Sequence, residues 1–476
     1  MQRIKQVKYI LIAYLICFPA ISYCQSSRES KPNIIFILAD DLGSAELGCY
    51  GNTFNETPKL DKLASQGLKF SQAYAAGPVC SPTRASIMTG QYPARVRITD
   101  FLPAKTTRFL DPAKYVTVNK PLHKAGYHTG IIGKWHLDTD FKSNAGGPDK
   151  HGFNEVIGTE TKYIAGGDYF FPYDKISTFS TGKENEYLTD RQCTEAVSFI
   201  DRNKKSPFFL YLSFYGVHTK LDAPAGLVTK YKNKFDSRYG AGKAESIFDT
   251  GNTDHSSNHK DNPYLAAMLE SIDTGIGAIM AKLKQDGLEK NTLVVFFSDN
   301  GGAKGSGNNG IFREGKTWLY EGGIRENLIM HWPGKIKPGS KTDVPVSSVD
   351  FYPTFLNMAG AVQPSGQLID GKNLVPLITK GIKPARDVLF WHYPSETGRA
   401  LAKMASAVRK GDFKLLQFYR DNRLELYNLK TDPGEKINLA SSNPSKREEL
   451  LKLLEEWKKK VNAEVPQTTN HGTPGQ

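Results

Sequence analysis

Asn33-Ile34-Ile35-Phe36-Ile37-Leu38-Ala39-Asp40-Asp41 is the stretch on which the reading of the fold turns. Ile34 to Ala39 are apolar without alternation, the mark of a central strand covered on both faces. Two carboxylates follow directly, and burying them is expensive unless a cation or hydrogen bonds hold them. The C-terminal end of such a strand is also where open α/β sheets place their sites. The plain alternative is a helix cap or an Asx turn. A second buried run, Thr292-Leu293-Val294-Val295-Phe296-Phe297-Ser298, ends the same way, in Asp299-Asn300-Gly301-Gly302.

Outward from these two strands the chain alternates strand and helix. Strands are expected at Lys69 to Tyr74, at His128 to Gly133 ending in Lys134-Trp135-His136, and at Phe208 to Phe214 ending in Tyr215-Gly216-Val217-His218. Lys134 and His136, two apart in an extended segment, would share a side. Helices are expected at Thr57 to Ala64, with Pro58 in the first turn, at Asp190 to Asn203, and at Asp350 to Gly360. Leu265, Met268, Leu269, Ile272, Ile276, Ile279 and Leu283 recur at helical spacing across Tyr264 to Leu283. Gly146 to Thr189 reads as a long ordered loop, whose Tyr163, Tyr169, Phe170, Phe171 and Tyr173 either pack the loop or stack on sugar rings. Arg238 to Asp261 reads as a polar surface excursion. The pattern predicts an α/β sandwich. Beyond Arg386 short strands at hairpin distance and a charged helix from Pro444 to Val461 predict a small antiparallel sheet plus helix. The expected layout is a leader (1–24), a main domain (32–385), a C-terminal α+β subdomain (386–461) and a loose tail (462–476).

With 476 residues and 39% hydrophobic content, a large core is affordable in surface terms. The net charge of +13 is diffuse, mixed with acids and free of basic blocks. That excludes a nucleic-acid platform and suits an anionic substrate. Lys5 and Lys8 precede the apolar run Tyr9 to Ile21, too short to span a bilayer, so it reads as a signal peptide. An exported protein, periplasmic or secreted, is expected, with lipid anchoring at Cys24 as the alternative. Of the five cysteines, Cys49, Cys80 and Cys193 lie beyond the leader, with no zinc spacing. Whether Cys49 and Cys193 pair stays open. Cys80 opens Cys80-Ser81-Pro82-Thr83-Arg84, with Pro82 suited to a first helical turn. A cysteine at a helix's positive end is expected to have a depressed pKa. A merely structural thiol is the alternative.

Four oxygen-bearing residues at strand ends, Asp40, Asp41, Asp299 and Asn300, fit a hard cation, calcium more than magnesium; zinc would want His or Cys. Around them stand Arg84, Lys134, His136, His218 and Lys316, more positive charge than one metal site needs, so the expected tenant is an anion with several oxygens.

Here the sequence resembles the formylglycine-dependent, type I sulfatases of the alkaline phosphatase superfamily. Cys80-Ser81-Pro82-Thr83-Arg84 is similar to their signature. Asp40-Asp41, Gly133-Lys134-Trp135-His136, Asp299-Asn300-Gly301-Gly302 and Arg313 to Arg325 follow in the family's order, over about Pro32 to Leu439. One departure stands at His218-Thr219-Lys220, where the family often has proline two residues after the histidine. The resemblance implies that a formylglycine-generating maturation enzyme oxidises Cys80 to 3-oxoalanine. The matured Cys80, its aldehyde hydrated, would join Asp40, Asp41, Asp299 and Asn300 as metal ligands. Arg84 would stabilise its alkoxide and calcium would polarise the sulfate. His218 or Lys316 would protonate the leaving alcohol, and His136 would take a proton from the second hydroxyl. Lys134 and Lys316 would neutralise the sulfate.

The rival readings are a phosphatase or phosphonate monoester hydrolase of the same superfamily, and a catalytically silent glycan-binding protein. The implied substrate is a sulfated carbohydrate: an algal polysaccharide such as ulvan, carrageenan or fucan, or a glycosaminoglycan.

Overall fold

The structure, a computed structural model, describes residues 31–103, 106–138, 145–160, 169–173, 176–251, 253–394 and 401–466. The expected leader with Cys17 and Cys24, Tyr163 of the aromatic loop, and residues 467–476 lie outside the described residues.

The large sheet runs β4 (Glu155–Ile157), β3 (His128–Gly133), β5 (Phe208–Ser213), β1 (Asn33–Ala39), β6 (Thr292–Ser298), β7 (Arg325–His331), β2 (Leu68–Tyr74), β8 (Ser340–Thr342). The short β9 (Val346–Ser347) also pairs with β2. From β4 to β6 every pairing is parallel, whereas β7 runs antiparallel to both β6 and β2. The sheet is therefore mixed, parallel across β4, β3, β5, β1 and β6 and antiparallel about β7.

The lack of alternation in β1 has a direct cause. Ile35, Ile37 and Ala39 enter one core, packed by the helices Leu188–Asn203 and Pro263–Gln285. Ile34, Phe36 and Leu38 enter the other, packed by Phe351–Ala359. Both faces of the strand are sealed, so every position is apolar.

Two stretches differ from expectation. The polar excursion contains the short helix Lys243–Phe248, preceded by the helix Ala225–Tyr239, which the sequence reading missed. Phe248 is fully buried, its ring 5.3 Å from that of Phe235. Such sparse apolar anchors among Lys and Asn disguise the helical period. In the aromatic loop, Tyr169 and Tyr173 are buried, and the Tyr173 hydroxyl donates to the Glu186 carbonyl at 2.7 Å. Phe170 packs on Tyr187 with ring centres 5.2 Å apart. These side chains pack the loop and are not laid out for a sugar.

The second sheet, β10 (Val388–Tyr393), β11 (Ala405–Lys410), β12 (Phe413–Phe418) and β13 (Leu424–Asn428), is antiparallel in chain order. The helix Pro444–Val461 covers it, with Trp457 stacked on Phe390 at 4.8 Å. The chain stays tied past that helix, where a loose tail was expected from Asn462: Ala463 N–H donates to the Lys458 carbonyl, and Glu464 pairs with Arg97. Cys49, Cys80 and Cys193 are all free thiols, so Cys49 and Cys193 do not pair.

Lys414 of β12 is fully buried, its ammonium 2.9 Å from Glu321 and 3.0 Å from Glu435. Burial opposes ionisation of both acids; Lys414 nonetheless helps hold Glu321 down to about 2, while Glu435 is pushed up to about 7. Removing one partner of a buried ion cluster strands the remaining charges, so Lys414→Ala is expected to cost about 3–5 kcal/mol in urea unfolding. A loss under about 1 kcal/mol would show that the acids do not need it.

Candidate active site

Four neighbouring parallel strands, β3, β5, β1 and β6, deliver the polar residues from their C-terminal ends. Ala39 pairs with Ser298, so Asp40-Asp41 and Asp299-Asn300 emerge side by side. Asp41 N–H donates to Asp299 Oδ1 at 3.2 Å, and Asn300 Nδ2 donates to Asp41 Oδ1 at 2.8 Å. Gly133 ends β3 at φ +94, and a Cβ there would stand 1.9 Å from the Ser213 carbonyl, so only glycine fits. That close approach lets Lys134 N–H donate to Ser213 O at 2.9 Å. Beyond β5, Val217 N–H donates to Asp40 O at 2.9 Å, which ties the turn carrying His218 to the end of β1.

Cys80 opens the wholly buried helix Cys80–Thr89, with Pro82 in its first turn. Its Sγ lies 3.6 Å from Asp40 Oδ1 and 3.7 Å from Lys134 Nζ. Ligand atoms of Asp40, Asp41, Cys80 and His218 fall within 4.8 Å of one another. His218 thus joins a cluster for which the sequence reading had chosen Asp299 and Asn300. Those two flank it, with Asp299 engaged by Arg84 at 2.7 Å and 3.0 Å. Arg84 also donates to Lys134 O at 2.8 Å and Ser213 Oγ at 2.5 Å, so its donors clamp three strand ends together. Lys134 Nζ sits on Asp40 Oδ2. Lys316 Nζ stands 2.7 Å from Asp41 Oδ2 and 3.2 Å from His218 Nε2.

Two sequence expectations need correction. Burial, reinforced by Asp40, pushes the Cys80 thiol up to about 12 against the opposing Lys134 and Lys316, so it is not a ready thiolate. The segment after β3 is not extended at His136, which sits at φ 57. Lys134 and His136 reach the site by different routes, the latter with Nε2 donating to the Leu102 carbonyl at 2.9 Å. Burial and Lys134 hold the His136 ring well below its usual range, so it is neutral and its lone pair is on Nδ1.

The carboxylates divide. Burial works against Asp40, yet Lys134, His218, Arg84 and Lys316 outweigh it and hold the group far below the usual carboxylate range. Asp299 goes the other way, pushed up to about 7 by burial and by Asp40 beside it. Burial and Lys316 lower His218. Two residues named in the sequence for other reasons support the site. Ser81 Oγ donates to His136 O at 2.9 Å and accepts from Leu102 N at 3.0 Å. Tyr169, fully inside, donates to the carbonyls of Tyr215 at 3.2 Å and His218 at 2.9 Å.

Two family models match the chain. The sulfatase model matches residues 32–361, and that for the C-terminal region of N-sulphoglucosamine sulphohydrolase matches 307–464. The chain is similar to a sulfatase of Formosa agariphila, 31% identical over 96% of this chain and 95% of that protein. It is also similar to rat (Rattus norvegicus) steryl-sulfatase, 30% identical over 78% and 74% of the two chains. Among solved structures, Ps i-CgsB in complex with k-i-k-neocarrahexaose superimposes with a TM-score of 0.75 and 33% identity, covering 90% of this chain and 93% of that one. The chain belongs to the sulfatase family, within the alkaline phosphatase superfamily. It is a sulfuric ester hydrolase.

Tyr169 yields a test that separates support from sugar contact. Tyr169→Phe removes the hydroxyl that holds the His218 turn, a hydrogen bond worth about 1 kcal/mol. Turnover is expected to fall about fivefold on 4-nitrophenyl sulfate and on a sulfated oligosaccharide alike, with KM little changed. A rise in KM for the oligosaccharide alone would return Tyr169 to sugar binding.

Proposed function

We propose that this sulfatase removes sulfate from a sulfated carbohydrate, with position 80 matured to formylglycine and a calcium ion held at the strand ends. The observation that carries this is one buried cluster: Asp40, Asp41, Cys80 and His218 within 4.8 Å, walled by Lys134, Lys316 and Arg84. The donors fit a hard cation. Asp40, Asp41, Asp299 and Asn300 offer oxygens, and Asn300 Oδ1 is buried without a hydrogen-bond partner among the described residues. Bound calcium would supply charge neutralisation and Lewis-acid polarisation of the sulfate oxygens.

A maturation enzyme would convert Cys80, and the hydrated aldehyde would supply the nucleophile. Such a diol would offer a second hydroxyl, so sulfate would be shed by elimination and sulfur would not need a second attack. Lys134 and Lys316 meet the sulfate charge as it builds. Lys316 and His218, in contact at 3.2 Å, hold between them the proton that the leaving alcohol takes. His136 Nδ1, the lone-pair nitrogen of a neutral ring, takes the proton of the second hydroxyl. Arg84 faces position 80 from one turn along the helix, stabilises its alkoxide through field, and positions Asp299 and Asp40.

Likeness to a protein solved with a neocarrahexaose supports a carrageenan-type substrate ahead of ulvan or a glycosaminoglycan. The same reading takes 32–385 as the catalytic domain and 386–461 as its C-terminal subdomain. It has the chain exported after loss of a leader ending at Cys24. Among the described residues no helix is long and apolar enough to cross a membrane.

Peptide mass spectrometry of active enzyme should find the fragment carrying position 80 lighter by exchange of hydrogen sulfide for oxygen, and Cys80→Ala should be folded and inactive. Full turnover with an intact thiol would overturn the maturation. Chelation should abolish release of sulfate from 4-nitrophenyl sulfate and lower the melting temperature, because a cation bound only by the folded state stabilises it. Asp299→Ala should abolish both the activity and the chelator's effect on melting. Preferential release of phosphate from 4-nitrophenyl phosphate would favour the phosphatase reading.

A further inference from the structure

A cleft of about 310 Å³ opens beside Lys316. Its walls come from three separate parts of the chain: the stretch 257–260, the glycine-rich lip 302–318 that follows β6, and Lys403 from the segment just before β11. Besides Lys316, the walls carry Lys260, Lys304 and Lys403; among the described residues, Glu314 is the one carboxylate lining the cleft.

The three lysines are not balanced elsewhere. Lys260 and Lys304 are exposed, and among the described residues neither meets a carboxylate. Lys403 is half-buried and held by neutral partners: it donates to Thr317 Oγ1 at 2.6 Å and stands 5.3 Å from the centre of the Trp318 ring. Burial lowers its pKa, with Lys304 acting in the same direction and Glu314 against it. An ammonium fixed by a hydroxyl and an aromatic face keeps its full charge available to a ligand and loses little freedom when one binds. The cleft shares Lys316 with the sulfate-handling cluster, so it adjoins the place where the ester would be cleaved.

We propose that this cleft is a subsite for a second anionic group of the substrate, a further sulfate or a uronate carboxylate on the saccharide, read by Lys304 and Lys403 with Lys260 at the rim. The enzyme thereby prefers a polyanionic saccharide to one carrying a single sulfate. This rests on the carbohydrate reading above and adds to it a rule for which saccharides are accepted.

The test measures binding and turnover separately. In a Cys80→Ala background, which cannot turn over, calorimetry with carrageenan-type disaccharides bearing one sulfate or two, and with a monosulfated uronate-containing disaccharide, reads affinity directly. Lys304→Ala and Lys403→Ala are each expected to weaken the doubly charged ligands about fivefold, the measure of one half-exposed charge pair. The disaccharide with one sulfate and no carboxylate should be unaffected, and raised salt should erase the difference. Whichever doubly charged ligand loses affinity identifies the second anion as sulfate or carboxylate. With Cys80 intact, both variants should hydrolyse 4-nitrophenyl sulfate at the parent rate, which shows they are folded, and Lys403→Arg should restore binding. Equal affinities of parent and double variant for every saccharide would overturn the subsite and leave the carbohydrate reading standing. If no saccharide bound the parent background while 4-nitrophenyl sulfate were still cleaved by the Cys80 protein, the carbohydrate reading would fall, and the subsite with it.

Discussion

Three carboxylates buried side by side at the ends of two adjacent strands are the constraint that the rest of the molecule answers. Each ion removed from water costs several kcal/mol unless it is paired. The answer is assembled from distant parts of the chain: Arg84 on a helix, Lys134 after β3, Lys316 in the lip after β6. These cations converge only if β3, β5, β1 and β6 lie next to one another in that order. Sheet order and site electrostatics therefore specify each other. Asp40 and Asp299 also show that adjacent acids need not share a state, since surrounding cations hold one ionised against burial while burial and the neighbouring Asp40 lift the other.

What could be read from the sequence follows the range over which each signal acts. A strand sealed on both faces writes itself locally as Ile34 to Ala39 or Leu293 to Phe297, and a strand end announces itself by the first charge after it. Both kinds of information lie within ten residues, and both led to the site. Arg84's clamp on Ser213 and Lys134, the seating of His218 within the ligand cluster, and the support from Tyr169 and Ser81 depend on folding and have no local mark. Local inference also erred where a long-range term opposed it. A helix start favours a thiolate at Cys80, but complete burial beside Asp40 outweighs that placement. The edge strands β4, β8 and β9 are two or three residues long, too short to carry a period.

The lip between β6 and β7 does two jobs. Lys316 points to the carboxylates, while Leu319, Tyr320 and Ile324 share a core with Leu389, Trp391 and Leu416 of the second sheet. Arg313 lies 3.9 Å over Tyr320 and donates to Tyr427 at 3.0 Å. Arg313, which the sequence offered only as part of the stretch in the family's order, serves as a joint to the second sheet. A substitution in that sheet acts on the site through this lip.

β1, the first strand made, is the middle of the sheet: Ile34 pairs with Phe209 on one side and Leu293 on the other. A chain synthesised from its N-terminus has nothing to set this strand against until those far later segments exist, and such non-local pairing folds slowly. Cys80, only 2% exposed once folding is complete, is open throughout that delay. Topology thus sets a clock. Any enzyme that is to act on the sulfur has an interval whose length is governed by how late β6 arrives, and a chain that folds before being reached keeps a sealed, unreactive thiol.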